Sequence, residues 1–137
     1  TISYLYTKRI EYLDTAKRTA HYFLANAAQS DYVPVVDFRC PKKPCLYDST
    51  AGAIAASAML TLAELVPEPE KALYQNGAIL ILQALEYNCC DYSDHTDLIL
   101  SKGVEAYRFQ EQRYIVYGDF YFLEAMGKLC NKGIFLW

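Results

Sequence analysis

Residues 48–65 read DSTAGAIAASAMLTLAEL. Three polar residues open a helix-length run of small and apolar ones with a single charge, Glu64. Asp and Ser side chains accept hydrogen bonds from the free N–H groups of a first helical turn, so Asp48 or Ser49 is the predicted N-cap. An ordinary surface helix carries a polar face, and this one does not. The stretch therefore predicts a helix buried on nearly all sides, which needs neighbours all around it.

Working outward, the flanking segments supply such neighbours. In EYLDTAKRTAHYFLANA (11–27) the apolar positions Leu13, Ala16, Ala20, Phe23, Leu24 and Ala27 follow helical spacing, with Lys17, Arg18 and His21 mostly elsewhere. Residues 70–87, EKALYQNGAILILQALEY, predict a second amphipathic helix with Leu73, Gly77, Ile81 and Leu85 on one stripe. Pro67 and Pro69 of VPEPE stop the apolar helix before it. YGDFYFLEAMGKL, from Tyr117, reads as a final helix that is again apolar on most sides. YVPVVDF (32–38) is short and contains Pro34, so it is a loop or one edge segment. A polar linker, NCCDYSDHTD, leads to the short apolar patch LILSKGV (98–104). Amphipathic and apolar helices thus alternate. Two concentric layers satisfy that order, with apolar helices inside and amphipathic ones outside, as in an all-α toroid. A helical-repeat solenoid also alternates, although no internal repeat is visible.

Composition removes several function classes. A chain of 137 residues with 53% hydrophobic and 21% charged residues is one globular domain's length. Its net charge is −3 and no Lys/Arg run exceeds two residues, so a nucleic-acid partner is not predicted. The apolar stretch near 53–60 is far shorter than the ~20 residues that span a bilayer, so no membrane partner is predicted. The opening TISYLYTK reads as the tail of an apolar helix, which leads us to expect a fragment of a longer protein. Five cysteines cannot all pair within one chain. Cys40 and Cys45 bracket PKKP and form either a loop disulfide or two free thiols. No metal site is predicted. CPKKPC lacks zinc spacing, and the cluster Asp91, Asp94, His95 and Asp97 lacks the spacing of a calcium loop and reads as a solvated linker. His21 reads as a partly exposed structural residue, and Ser57 has no adjacent base that would make it a nucleophile. Most of the thirteen tyrosines are expected to pack.

In a double-layer toroid all inner helices run the same way, so their N-termini gather at one mouth. Unpaired N–H groups and the positive ends of the helix dipoles collect there and favour an anionic ligand. Two candidate inner helices open on Asp48-Ser49-Thr50 and on Tyr117-Gly118-Asp119. The candidate substrate-binding residues are Ser49 and Tyr117. Asp48 and Asp119 are rim or capping residues; Asp48, Ser49 and Asp119 can each be read as a cap and nothing more.

YDSTAGAIAASAMLTLAEL (47–65) resembles the D-[ST]-[ST]-A-x-A-I-A-A-S-x-L-L-x-L segment of the unsaturated glucuronyl hydrolases. IVYGDFYFLEAMGKL (115–129) resembles their closing I-[YW]-G-D-[YF]-[YF]-[FL]-L-E-A-L-x-[RK]-L segment. YTKRIEYLDTAKRTAHYFLAN and VPVVDF fall in matching order. The resemblance covers essentially the whole chain and corresponds to the family's C-terminal portion, which implies part of an (α/α)6 barrel. It implies a substrate as partner, a short oligosaccharide ending in a 4,5-unsaturated uronic acid. It implies hydration of that sugar's vinyl ether by an aspartate, with no cofactor or metal. The family's catalytic aspartates correspond to positions upstream of Thr1, so no catalytic residue is assigned on this chain. Val36 stands where the family usually has Trp, and Ser101-Lys102 where its motif has a histidine, so sugar recognition is expected to differ. The reading from another class is a non-catalytic helical interaction module.

Overall fold

The computed structural model describes residues 1–40, 46–106 and 111–132. Among the described residues five α-helices follow one another: α1 (Ile2–Thr7), α2 (Ile10–Ala27), α3 (Ser49–Ala63), α4 (Glu68–Cys89) and α5 (Val116–Leu129), with one 3-10 turn at Ala28–Ser30. Among the described residues no strand forms. Extended pairing is limited to three isolated bridges, Val35 with Tyr47, Cys90 with Leu100, and Gly103 with Arg113.

Each helix starts and stops for local reasons. Lys8 adopts a left-handed conformation (φ 56°) and turns the chain from α1 into α2. α2 buries Leu13, Ala20 and Ala27, one stripe of the helical repeat. The prolines of VPEPE belong to the start of α4: Pro67 is its N-cap and Pro69 lies in its first turn, where a missing N–H costs nothing. α4 therefore runs two residues beyond the predicted 70–87 at each end. Its buried side chains are Tyr74, Gly77, Ala78, Ile81, Leu82, Leu85 and Cys89. Leu73, predicted on that stripe, is 50% exposed, because Tyr74 takes the inward position one residue on.

Contacts between helices fix the layering. Lys17 meets Glu70 at 2.7 Å, His21 meets Tyr74 at 3.0 Å, and Leu24 packs on Gly77. Each step along α2 is matched by a step along α4, so these two amphipathic helices are parallel. His21 is exposed and its ring stacks on the wholly buried Tyr74, with centroids 5.7 Å apart. Thr50 lies against Gly118, Ser57 bonds Glu124, and Thr61 bonds Lys128, so α3 and α5 are parallel as well. Gly52 meets Leu85 and Glu64 meets Lys71, so α3 is antiparallel to α4. The result is two layers, α2 and α4 against α3 and α5, with each layer internally parallel. The core lies between them and includes Ala53, Ala56, Met59, Leu62, Tyr74, Ile81, Leu85 and Phe122. The layering is that of part of an (α/α)6 barrel. The two inner helices are not covered all round: Ile54 on α3 and Val116, Phe120 and Leu123 on α5 are exposed.

No helix among the described residues is long and apolar enough to cross a membrane. Cys45 lies outside the described residues, and the pairing of Cys40 with Cys45 with it.

Candidate functional site

The parallel course of α3 and α5 brings Asp48-Ser49-Thr50 beside Tyr117-Gly118-Asp119 at one end of the molecule. α4, antiparallel to α3, delivers its C-terminus to the same end. The segment 98–104 lies across this junction and takes most of its polar groups.

Asp48 is the N-cap of α3. Its Oδ1 accepts from the backbone N–H groups of Thr50 (3.2 Å) and Ala51 (3.4 Å) and also from Val104 (3.3 Å). Burial pushes the Asp48 carboxyl above its usual range, and the Val104, Ala51 and Thr50 donors oppose that shift. One carboxylate thus caps its own helix and holds a distant segment.

Ser49 is fully buried. Its hydroxyl donates to the carbonyl of Ser101 at 2.5 Å and its N–H donates to the carbonyl of Lys102 at 3.1 Å. The hydroxyl expected to face a ligand is therefore committed inside the protein. The physical reason is the 98–104 segment, which supplies acceptors where an open rim was expected.

Asp119 is also buried, at 7% exposure. It does not cap α5: it is the fourth residue of that helix and its carboxylate bonds another segment. Oδ2 accepts from the N–H of Ile99 at 3.0 Å and Oδ1 from the N–H of Leu100 at 2.7 Å. One carboxylate thus takes two consecutive N–H groups, one on each oxygen, and such charge-assisted bonds are the stronger kind. Ser101 completes the seam with N–H (2.8 Å) and hydroxyl (2.7 Å) donated to the carbonyl of Cys89 at the end of α4. Lys102 donates from Nζ to the carbonyl of Asn88 at 2.6 Å, a cation at a helix C-terminus.

Tyr117 differs from the other three. It lies in the first turn of α5 and is 50% exposed. It is the residue of the four whose side chain is open to a ligand. Nearby, the Tyr114 hydroxyl donates to Asp91, which holds the Asp91 carboxyl down at about 2. Asp91 also accepts from the N–H of Ser93, so it serves the linker's own turn. Among the described residues no group of three or more His, Cys, Asp or Glu is placed to hold a metal.

A second polar cluster, which no pattern in the sequence announces, joins the C-terminal halves of α3 and α5. The Ser57 hydroxyl donates to Glu124 Oε2. Lys128 Nζ lies 2.8 Å from the Ser57 hydroxyl, 2.8 Å from that of Thr61 and 3.3 Å from Glu124 Oε2. Glu124 and Lys128 stand one turn apart on α5, and their side chains are 4% and 14% exposed. Burial lowers the Lys128 ammonium's pKa, and Glu124 opposes that. This cluster borders a cavity of about 740 Å³ along the exposed face of α3 and α5. A smaller one of about 320 Å³ lies between α2 and α3. Neither is lined by Asp48, Ser49, Tyr117 or Asp119.

No family model matches the chain. It is 32% identical to the unsaturated glucuronyl hydrolase of Bacillus sp. (strain GL1), covering 94% of this chain and 35% of that protein. It is 30% identical to the unsaturated glucuronyl hydrolase of Formosa agariphila, over 96% of this chain and 34% of that protein. The structure of the unsaturated glucuronyl hydrolase from Bacillus sp. GL1, described as responsible for the degradation of glycosaminoglycan, superposes with a TM-score of 0.85 at 31% identity, over 92% of this chain and 35% of that one. A second structure, of a substituted enzyme with the oligosaccharide dGlcA-Glc-Rha-Glc, superposes equally well at the same identity. The chain spans about a third of the length of these proteins. It is similar to the unsaturated glucuronyl hydrolases over nearly all of its own length and has the fold of part of their (α/α)6 barrel.

Proposed function

We propose that this relative of the unsaturated glucuronyl hydrolases is the C-terminal part of a single-domain glycoside hydrolase. The whole enzyme releases a 4,5-unsaturated uronic acid from oligosaccharides made by polysaccharide lyases. A carboxylic acid protonates C4 of the vinyl ether, and water adds its hydroxyl at C5 as its proton passes to the carboxylate. The resulting hemiketal opens and frees the partner sugar. This is general acid/base hydration, and the acid lies outside this chain. Within the chain, Tyr117 contacts the sugar, while Asp48, Ser49 and Asp119 hold the mouth around it. The observation that carries the reading is the likeness to these enzymes across nearly the whole chain, including both segments that meet at the mouth.

The test is kinetic and uses the intact protein with an unsaturated disaccharide, followed by loss of its ultraviolet absorbance. Wild-type protein should consume the sugar. Tyr117→Phe should raise KM or lower kcat with little change in melting temperature. No consumption by the wild type would favour the non-catalytic helical module. Unchanged kinetics with a lower melting temperature would make Tyr117 a packing residue.

A further inference from the structure

Thr50 sits where three segments meet. It is the second residue of α3 and is 5% exposed. Gly103 approaches it from the 98–104 segment and Gly118 from the first turn of α5. A Cβ built on Gly103 would lie 2.8 Å from Thr50 Oγ1, and one built on Gly118 would lie 2.9 Å from the same atom. Neither glycine has a positive φ, so the backbone there suits any L-residue. Space, not conformation, requires glycine at both positions. Gly103 is hemmed further by Ile115, whose Cδ1 would lie 2.9 Å from the added carbon.

This junction borders Tyr117. Gly118 rests on Thr50 on one side, and Asp119 is tied to Ile99 and Leu100 on another. The first turn of α5 is thus seated at two consecutive residues on two different segments, which fixes its rotation about the helix axis. Tyr117, one residue earlier, is left facing outward. We propose that Thr50, Gly103 and Gly118 are positioning residues that set the Tyr117 ring at the mouth of the site. None of the three touches the sugar. The inference rests on the reading of Tyr117 as a substrate contact for its effect on activity, but not for the geometry itself.

The test is a pair of substitutions that clash and then relieve the clash, made in the intact protein. Gly118→Ala forces its new methyl against Thr50 Oγ1. Adding Thr50→Ala removes that oxygen and leaves the methyl at ordinary distance from what remains. With the Tyr117 ring isotopically labelled, its resonance should move in Gly118→Ala and return towards the wild-type position in the double variant. KM for the unsaturated disaccharide should rise about tenfold in Gly118→Ala with kcat nearly unchanged, because a small misplacement of a binding group weakens binding before it slows chemistry. In the double variant KM should recover. If Gly118→Ala does not fold, Thr50→Ala alone, which unseats α5 without a clash, should shift the same resonance. A ring resonance unmoved by these changes, or a double variant as displaced as the single one, overturns the proposal. A ring that moves while KM stays fixed, in a protein where Tyr117→Phe does change KM, overturns it too. If Tyr117→Phe changes nothing, the assignment of Tyr117 to the sugar fails, while the resonances still decide the positioning.

Discussion

Asp119 stands in the first turn of a helix, where an acidic residue suggests a cap, and its bonds go elsewhere. A cap replaced by Ala costs about 1 kcal/mol. Asp119 instead satisfies the N–H groups of two residues, one of them buried, on another segment. Removing it leaves both donors without their carboxylate, and each such loss costs about 1–3 kcal/mol. Asp119→Ala should therefore lower stability by about 3 kcal/mol, and Asp119→Asn, which keeps one good acceptor, by about half as much. Chemical denaturation of both variants checks this; a loss of 1 kcal/mol or less in Asp119→Ala would mean that water replaces the carboxylate. The same residue marks what was legible in the sequence. The capping role of Asp48 could be read locally, because its partners Thr50 and Ala51 are its neighbours and an apolar run follows. The partners of Asp119 lie 19 and 20 positions back, across a linker with no periodic signal. Ser49 bonds Ser101, 52 positions on, and its inward direction could not be read for the same reason. A polar residue at the head of an apolar helix announces that something polar is near, not whether that is a ligand or the chain itself.

Among the elements, a buried ion pair on α5 bonds two hydroxyls of α3 and so ties the two helices together. Glu124 and Lys128 are both on α5, and Ser57 and Thr61 of α3 reach them across the helix boundary. Taking one partner of such a pair strands the other charge, at a cost of about 3–5 kcal/mol, whereas replacing both by well-fitting neutral groups is close to neutral. Glu124→Gln should destabilise by about 3 kcal/mol near pH 7, and adding Lys128→Met should recover most of that loss. The pH dependence has a definite sign. Lys128 has a folded pKa below its ordinary 10.5, so the unfolded chain binds that proton more readily. The contribution of Lys128 is then complete above 10.5 and is lost as pH falls through the folded value. Without Glu124 the folded value drops further, so the deficit of Glu124→Gln should shrink as pH rises towards 10. Denaturation curves at neutral and alkaline pH measure it; a pH-independent deficit would show that packing, not charge, joins the helices. The existence and type of each long helix were legible here, since composition and period are local properties. The cluster was not. Ser57 has no base beside it in the sequence, and its partners Glu124 and Lys128 lie 67 and 71 positions on.

For the whole molecule, the inner layer remains partly uncovered. Val116, Phe120 and Leu123 lie on one face of α5, and Ile54 lies on α3 beside the larger cavity. Exposed apolar surface beyond a few hundred Å² drives association. If the chain is the part of a barrel that we propose, it should self-associate at micromolar concentration when isolated, and stay monomeric only with the remainder of that barrel supplied. Sedimentation of the chain, alone and with Phe120→Ser and Leu123→Ser together, tests this. A sharp monomer for the unaltered chain that binds no apolar dye would remove the part-barrel reading of these faces. The short link between Ala63 and Glu68 has a different consequence. α3 and α4 are neighbours in sequence and can pair after closing a very small loop, whereas α5 meets α3 only through contacts such as Ser57 with Glu124, 67 positions apart. Contacts of long sequence separation carry a larger closure entropy and are made late. The α3–α4 hairpin can thus exist before the mouth does. Thr50, Asp119 and the 98–104 segment come together only when α5 docks, so the substrate binding we propose at that end would report that the chain has finished folding.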